Sequence, residues 1–256
     1  MIPADPLFYI VGFTTVFIIS LGKGAFGGGL ATLGVPLLSL VMSPIDAAIM
    51  IAPITVLTDV FAFGNYRLRD ASKPDLAWLM PSLIVGLLLG YVFFVYIDPR
   101  YVNVGIGLIA FIFAVDWFIR LRTKPEPVER PLSPPLAIVS GSAFGFTSFV
   151  AHAGGPILSA YLLFRGLNKT FYVGTSIVIY AVVNLLKLFP YVWLGTAKPA
   201  LLVHVLLLTP AVPLGVWLGA RFHRRLNQQR LFFWCYTILL LASAKLLFDA
   251  VRGLMA

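Results

Sequence analysis

The chain has 256 residues, of which 60% are hydrophobic and only 11% are charged, and its formal net charge is +9. About a quarter of the residues in soluble domains are charged, so this composition excludes an ordinary soluble protein. Hydrophobic stretches of about 20 residues, the length of a membrane-spanning helix, recur from end to end. Transmembrane β-strands would give shorter, alternating segments. The sequence therefore predicts an all-α polytopic membrane protein.

The first half of the chain, residues 1–122, opens with a hydrophobic segment that glycines interrupt near its middle. This segment, 7–42, is long for one spanning helix and short for two. We interpret it as a re-entrant hairpin of two half-length helices that meet inside the membrane. Three uninterrupted segments follow it and are predicted to be full spans: 47–66, 76–97 and 101–121.

The second half has the same layout. A Pro-rich, charged stretch, 123–134, is predicted to be a linker, and residues 135–256 form the second half. It opens with another interrupted hydrophobic segment, 135–164, which we interpret as a second hairpin. Three predicted spans follow it: 170–193, 199–220 and 230–251.

An internal repeat relates the two halves. Three residues of the first hairpin match three of the second at an offset of 120 residues, namely Gly34, Pro36 and Ser39 with Gly154, Pro156 and Ser159. A second set matches at an offset of 129, namely Pro81, Gly86 and Gly90 with Pro210, Gly215 and Gly219. Inverted repeats with broken helices at corresponding positions are typical of secondary transporters, whose binding sites lie near the bilayer midplane.

The basic residues predict the orientation. With these spans, 13 of the 19 Lys and Arg residues fall in loops on one side of the membrane. The positive-inside rule places that side, with linker 123–134, in the cytoplasm. The basic clusters 120–130 and 221–230 must then share a side, so segment 135–164 crosses zero or two times. Each half therefore has three crossings, the two halves insert in opposite orientations, and both termini lie outside. The net charge is thus a topology signal and needs no nucleic-acid partner.

Small residues four positions apart are typical of helix-packing faces in membranes. GLLLG at 86–90 and GVWLG at 215–219 are two such faces, which could join the two halves or join protomers in a homodimer. Asp116 and Lys245 correspond across the repeat, but the inverted topology would place them toward opposite ends of the membrane. We expect both to make local contacts.

The first hairpin tip carries a lysine among glycines. Lys23 is predicted to face a cavity or a partner, because a buried charge is costly in a bilayer, and its ammonium group is suited to an anion. Gly27, Gly28 and Gly29 allow a ligand to approach the backbone closely and expose N–H donors. Alternatively, the glycines only let helices pack, and Lys23 only forms a salt bridge.

The second hairpin tip supplies further candidate donors for an anion, because its second arm would begin with unpaired N–H groups near the middle of the membrane. The candidates are Thr147, Ser148, His152, Gly154 and Gly155. His152 could also carry a coupling proton, or a backbone carbonyl could satisfy its ring.

Two further positions complete the candidate site. Asn184 and Lys187 lie one turn apart on one face of a span and could line the pathway. Asp59, in the middle of a span, is a candidate partner for Lys23 or a proton carrier. The pattern indicates neither a metal site nor a cofactor, since the three histidines are poorly placed for haem and Cys235 is the single cysteine.

The residues of both tips resemble a known family. KGAFGGGLATLGVPLL at 23–38, GFTSFVAHAGGP at 145–156 and VGTSIVIYAVVNLLKLFPY at 173–191 are similar to the sulfite exporter TauE/SafE family of membrane transporters. The resemblance covers residues 12–250. It implies a cell inner membrane location and transport of small sulfur-containing anions such as sulfite, sulfoacetate, thiosulfate or related organosulfonates. Many relatives carry a GxGGG-like run in both halves, whereas the second half here reads AHAGGP, so the two tips are not equivalent.

These observations predict a secondary transporter that holds an anion between its hairpin tips and works by alternating access. The chain has no GxxxxGK[ST] motif for ATP, so a gradient would drive it. An anion channel of the same architecture is the alternative. HExxH and GxSxG motifs are also absent, and no enzyme activity is expected.

Overall fold

The computed structural model describes residues 6–26, 30–62, 71–122, 130–167, 169–196, 199–222 and 228–255. Every regular element in these ranges is helical. Seven of the described helical segments are long and apolar enough to cross a membrane. The predicted all-α polytopic class is therefore confirmed.

The first half contains a short 3-10 helix and five α-helices. They are α1 (Pro6–Phe26), the 3-10 helix Ala31–Leu33, α2 (Gly34–Leu38), α3 (Pro44–Ala62), α4 (Lys73–Tyr96) and α5 (Pro99–Arg122). The second half contains six α-helices. They are α6 (Pro134–Ala151), α7 (Gly155–Arg165), α8 (Lys169–Thr196), α9 (Pro199–Leu208), α10 (Ala211–Phe222) and α11 (Gln228–Met255). Several of these helices begin at or next to a proline, which suits the first turn because the N–H that it lacks has no intrahelical partner there.

The arms of the two hairpins are unequal in length. The prediction of half-length arms is wrong for both first arms, since α1 has 21 residues and α6 has 18. At 1.5 Å per residue these helices are about 31 and 27 Å long, so each could cross a bilayer core. The second arms are short: α7 has 11 residues, and α2 has only five after the 3-10 helix. The first arms are long because the small residues within each segment do not end its helix: Gly22 and Gly24 lie inside α1, and Gly141 and Gly145 lie inside α6.

The predicted span 199–220 is interrupted near its middle, where it is divided into α9 and α10, and Leu201–Arg221 as a whole is long and apolar enough to cross a membrane. Between them the Thr209 N–H donates to the Val205 carbonyl, and the Val212 N–H donates to the Thr209 carbonyl. Pro210 has no N–H to continue the helical pattern. Its counterpart in the first half, Pro81, lies inside the continuous α4, so a proline alone does not decide where a span breaks.

The two small-residue faces join the two halves of the chain. The most extensive contact between elements is that of α4 with α6, and the next is that of α10 with α1. A Cβ atom on Gly86 would lie 2.0 Å from the Ser142 carbonyl oxygen, and one on Gly145 would lie 2.2 Å from the Leu83 oxygen. Only glycine allows backbones to approach so closely.

The contact of α10 with α1 repeats this close approach of backbones, with the roles of the two halves exchanged. A Cβ atom on Gly219 would lie 2.3 Å from the Leu21 oxygen, and one on Gly24 would lie 2.2 Å from the Val216 oxygen. Both small-residue faces are thus occupied by contacts within the chain. They do not provide the surface for a second copy that the homodimer prediction required.

The packed pairs differ in direction. Gly86 faces Ser142 and Gly90 faces Phe149, so α4 and α6 run parallel, and the contacts of Gly215 with Phe17 and Gly219 with Leu21 make α10 and α1 parallel. The corresponding helices α5 and α11 are antiparallel: the ring of Trp117 stacks on that of Tyr236, whereas Gly107 contacts Leu247. These directions are the ones that two halves of opposite orientation require.

Asp116 and Lys245 make local contacts, as predicted. Asp116 pairs with Arg120 at 2.7 Å, and Lys245 pairs with Asp249 at 2.6 Å. Each pair spans one turn of its own helix and is substantially exposed.

Candidate functional site

A small cavity lies where α1, α3, α8 and the tip of the second hairpin meet. Polar side chains on these elements face it, together with the glycines that begin α7. The described residues that line it are Ile19, Lys23, Ala31, Thr32, Thr55, Thr58, Ser148, His152, Gly154, Gly155, Tyr180, Asn184 and Lys187.

The first arms of both hairpins end beside the cavity. Lys23 lies three residues before the end of α1, and Ser148 lies three residues before the end of α6. The ends of these two helices therefore face the same cavity.

The first charged group of the site is an ion pair. Lys23 Nζ lies 2.5 Å from Asp59 Oδ1, and both side chains are about 9% exposed. Asn184 Nδ2 donates to the other oxygen, Oδ2, at 2.5 Å. The Lys23 ammonium also lies over the ring of Tyr180, 4.7 Å from its centroid. The pair links α1, α3 and α8, and each charge offsets the desolvation cost of the other.

The second charged group is Lys187, whose contacts are with the second hairpin. Its Nζ lies 2.9 Å from His152 Nδ1, 3.3 Å from the Ser148 hydroxyl and 3.4 Å from the Ser148 carbonyl. Lys187 is buried. Among the described residues it forms no ion pair with a carboxylate. Its charge is therefore met only by neutral acceptors, which makes it the cation most available to an anion.

His152 has the geometry of a neutral imidazole. Its Nε2 lies 3.1 Å from the Ala48 carbonyl oxygen, which can only accept, so Nε2 carries the proton. Nδ1 then accepts from Lys187. The ring also packs against that of Tyr191, 5.2 Å between centroids. The histidine thus links α3 to α8 through the hairpin tip.

The backbone of His152 is in the left-handed region, with φ 52° and ψ 27°. No other non-glycine residue in the described ranges has a positive φ. Glycine takes this conformation readily, whereas other residues pay about 1 kcal/mol or more for it. The conformation ends α6: the N–H groups of His152 and Ala153 both donate to the Thr147 carbonyl.

The second arm of this hairpin starts at the cavity. Gly154 and Gly155 line it at the N-terminus of α7, which has no side-chain cap. The first N–H groups of a helix lack intrahelical partners, and the helix dipole adds partial positive charge there. The corresponding arm of the first half begins as the 3-10 helix Ala31–Leu33, whose residues Ala31 and Thr32 also line the cavity.

The structure gathers most of the predicted site residues around the cavity. The ones that line it are Lys23, Ser148, His152, Gly154, Gly155, Asn184 and Lys187. Asp59 lies behind them, as the predicted partner of Lys23. Thr147 does not line the cavity, because its hydroxyl donates to the Ala143 carbonyl within α6. Gly27, Gly28 and Gly29 lie outside the described residues.

Four polar residues of the lining were not predicted from the sequence: Thr32, Thr55, Thr58 and Tyr180. A helical pattern could have found the last three. Thr55 and Thr58 lie one turn apart just before Asp59, and Tyr180 precedes Asn184 by one turn on α8. Polar residues at this spacing mark one face of an otherwise apolar span.

Sequence analysis also missed a buried network around Asp75. This carboxylate accepts from Ser72 Oγ at 2.6 Å, Tyr161 OH at 2.5 Å, Arg165 Nε at 2.9 Å and Arg165 Nη2 at 3.3 Å. The Ser72 N–H donates to Thr175 Oγ1 at 2.9 Å. The network ties the start of α4 to the end of α7 and the beginning of α8. It lies at the end of the bundle that carries the predicted cytoplasmic basic residues.

No group of three or more His, Cys, Asp or Glu side chains in the described ranges is arranged to hold a metal ion. The cavity's donors are instead lysine amines, hydroxyls, an amide and backbone N–H groups. Such groups bind anions through charge-assisted hydrogen bonds.

The family model described as sulfite exporter TauE/SafE matches residues 12–246. No curated protein and no solved structure matches the chain.

Proposed function

We propose that this chain, which belongs to the sulfite exporter TauE/SafE family, is a secondary transporter that carries small sulfur-containing anions through the cavity. The candidates are sulfite, sulfoacetate and related organosulfonates or oxyanions. The observation that carries the proposal is Lys187, a buried lysine near mid-depth that faces a cavity and is met only by neutral acceptors.

Each group around the cavity has a role in this proposal. The Lys187 ammonium pairs with the anion, and the Ser148 hydroxyl donates to one of its oxygens. The N–H groups of Gly154 and Gly155 donate to the others from the start of α7. Lys23 lines the opposite side of the cavity, and Asn184 holds the Asp59 carboxylate in place beside it.

Alternating access would proceed by movement of one inverted repeat against the other. The parallel packing of α4 with α6 and of α10 with α1, together with the antiparallel pair α5 and α11, supports inverted repeats. We place linker 123–134 in the cytoplasm, both termini outside and the protein in the cell inner membrane, on the distribution of basic residues.

A proton gradient is the proposed energy source, with Asp59 and His152 as candidate carriers. Both side chains are buried beside the cavity. Asp59 can take a proton when an anion replaces it on Lys23, and His152 can take one at Nδ1 if Lys187 turns to the anion. Either step would bring a proton and an anion into the site together.

The proposal is tested by anion uptake into proteoliposomes. The purified protein is compared with Lys187→Gln and with Lys245→Gln, a matched variant whose lysine is exposed and pairs locally with Asp249. Sulfite, sulfoacetate, thiosulfate, taurine and sulfate form the panel. We expect uptake of at least one sulfur anion by the wild type and by Lys245→Gln, and a loss of about 10- to 100-fold in Lys187→Gln, as expected for a charge-assisted contact. Equal uptake by all three proteins would remove the role of the cavity.

The same vesicles separate a transporter from a channel. A transporter gives saturable uptake that unlabelled anion on the other side stimulates, because the loaded carrier returns faster. A channel gives uptake that such counter-substrate does not stimulate. Absence of both saturation and stimulation would exclude alternating access.

A further inference from the structure

The charged groups around the cavity leave one positive charge unmatched. Lys23 and Asp59 lie 2.5 Å apart, so their charges cancel. The other charged group, Lys187, faces the neutral side chains of Ser148 and His152. The remaining residues of the lining carry no charge at all.

The hydrogen bonds of His152 show why Lys187 and this histidine together hold no more than one positive charge. Nε2 must carry a proton, because its partner is the Ala48 carbonyl oxygen. Only one proton fits on the line between Nδ1 and the Lys187 nitrogen, which are 2.9 Å apart. A protonated Nδ1 therefore requires a neutral amine, and an ammonium requires an unprotonated Nδ1, so the pair never carries two positive charges.

No other described residue around the cavity alters this balance. Residues 27–29 at the first tip are glycines and carry no charge. The other buried ion pair near the second hairpin, Asp75 with Arg165, lies at the far end of α7 and is itself balanced. The N-terminus of α7 adds only partial positive charge.

We infer that the site selects small anions with a single negative charge. This inference rests on the proposed function and specifies its substrate class. A monoanion would neutralise the unmatched charge, whereas a dianion would leave one negative charge buried without a partner. Unpaired charge is costly inside a protein or a bilayer. Hydrogensulfite and simple alkanesulfonates fit this requirement, whereas sulfate, thiosulfate and the doubly charged form of sulfoacetate enter only with a proton.

The charge preference is measured with ions that do not titrate near neutral pH. Wild-type proteoliposomes are given methanesulfonate as the monoanion, and sulfate and thiosulfate as dianions, at equal concentrations. We expect the monoanion to be taken up at least about tenfold faster than either dianion. This ratio needs no variant, so it tests the inference even if a variant does not fold.

Variants then change the charge of the site. Asp59→Asn leaves Lys23 unpaired and raises the unmatched charge to two. We expect the preference for methanesulfonate over sulfate to fall about tenfold or to invert. Asp59→Glu keeps the charge and should keep the wild-type ratio. The double variant Lys23→Gln with Asp59→Asn removes both charges of the pair and should move the ratio back toward the wild-type value.

The outcomes distinguish failure of the proposed transport function from failure of the inferred charge preference. The proposed function would be overturned if wild-type vesicles took up these three anions, and all the other sulfur anions of the panel, no faster than protein-free vesicles do. Wild-type vesicles that take up dianions as fast as the monoanion would overturn the charge inference and leave the transporter intact. A ratio that is the same in Asp59→Asn and Asp59→Glu would overturn it as well.

Discussion

Asp59 and Asp75 are both buried carboxylates that pair with a cation from another helix, but they differ in how many partners they have. Asp75 accepts four hydrogen bonds, from Ser72, Tyr161 and both ends of the Arg165 fork. Asp59 accepts from two groups among the described residues, Lys23 and Asn184. A carboxylate has about four lone-pair positions, so the first is saturated and the second retains capacity.

This difference in the number of hydrogen bonds distinguishes a carboxylate that holds helices together, Asp75, from one that we propose can exchange its partner, Asp59. The Asp75 network fixes the end of α7 to α4 and has no place for a ligand. The Asp59 pair borders a cavity, and in the proposed mechanism Lys23 exchanges this carboxylate for a substrate anion as Asp59 takes up a proton. Burial and ion pairing alone would not have distinguished these roles, whereas the number of hydrogen bonds does.

The largest effect is expected from Asp75→Asn. The change leaves the Arg165 guanidinium almost buried and without its carboxylate, and removal of one partner of a buried ion pair costs about 3 to 5 kcal/mol. Thermal unfolding in detergent measures the loss. Asp59→Asn should destabilise less, because Asp59 has fewer partners. Equal losses of stability in the two variants would contradict the view that Asp75 is held by more hydrogen bonds than Asp59.

The next effect concerns transport. Lys23→Ala removes one of the two cations of the cavity and leaves Asp59 beside it, so we expect anion uptake to fall by about 10- to 100-fold, the value of a charge-assisted contact. The variant must first elute as a single species, which shows that its fold is retained. Lys245→Ala, which removes an exposed lysine, is the control. Wild-type uptake by Lys23→Ala would remove Lys23 from the site.

A smaller effect is expected at the strained hairpin tip, beside Lys187. His152→Gly and His152→Ala both remove the imidazole, but glycine accepts the left-handed backbone and alanine does not. We expect the glycine variant to be more stable than the alanine variant by about 1 kcal/mol. Thermal unfolding gives this difference, and uptake should fall equally in both. A more stable alanine variant would show that the tip is not held in this conformation.

The smallest effect is expected from Asp116→Asn, which supplies the baseline for the buried pairs. Asp116 and Arg120 form an exposed pair one turn apart, and such pairs contribute about 0.3 to 0.5 kcal/mol. We expect unfolding temperature and uptake close to wild type. A loss comparable to that of Asp75→Asn would mean that burial does not set the cost.

Much of the fold follows from the sequence because the bilayer constrains it strongly. Long apolar stretches predicted the helices, and matching glycines and prolines predicted the repeat. Arm lengths were wrong because glycines near the middle of each segment do not end its helix, since α1 continues through Gly24 and α6 through Gly145. The break at Pro210 was missed because Pro81, at the matching position, leaves α4 continuous.

The site was only partly predictable. Lys23, His152, Asn184 and Lys187 were identified because polar residues in an apolar segment need a reason. Which of these residues contact each other was harder to predict. Lys187 lies on α8 and His152 lies just after α6, so only the fold brings them together. Asp75 was not predicted because it lies at the start of a span, where carboxylates are common. Its burial depends on contacts with distant residues, which leave no local pattern in the sequence.

The reciprocal glycine crossings have a consequence for how the protein is made. Helix α1 leaves the ribosome long before its packing partner α10, which begins at residue 211. Most of the chain must therefore be synthesised and inserted before the first hairpin can settle. Until then its glycine-rich surface has to be shielded by lipid, by neighbouring helices or by the insertion machinery, and a chain that stops after the first half leaves α1 without that partner.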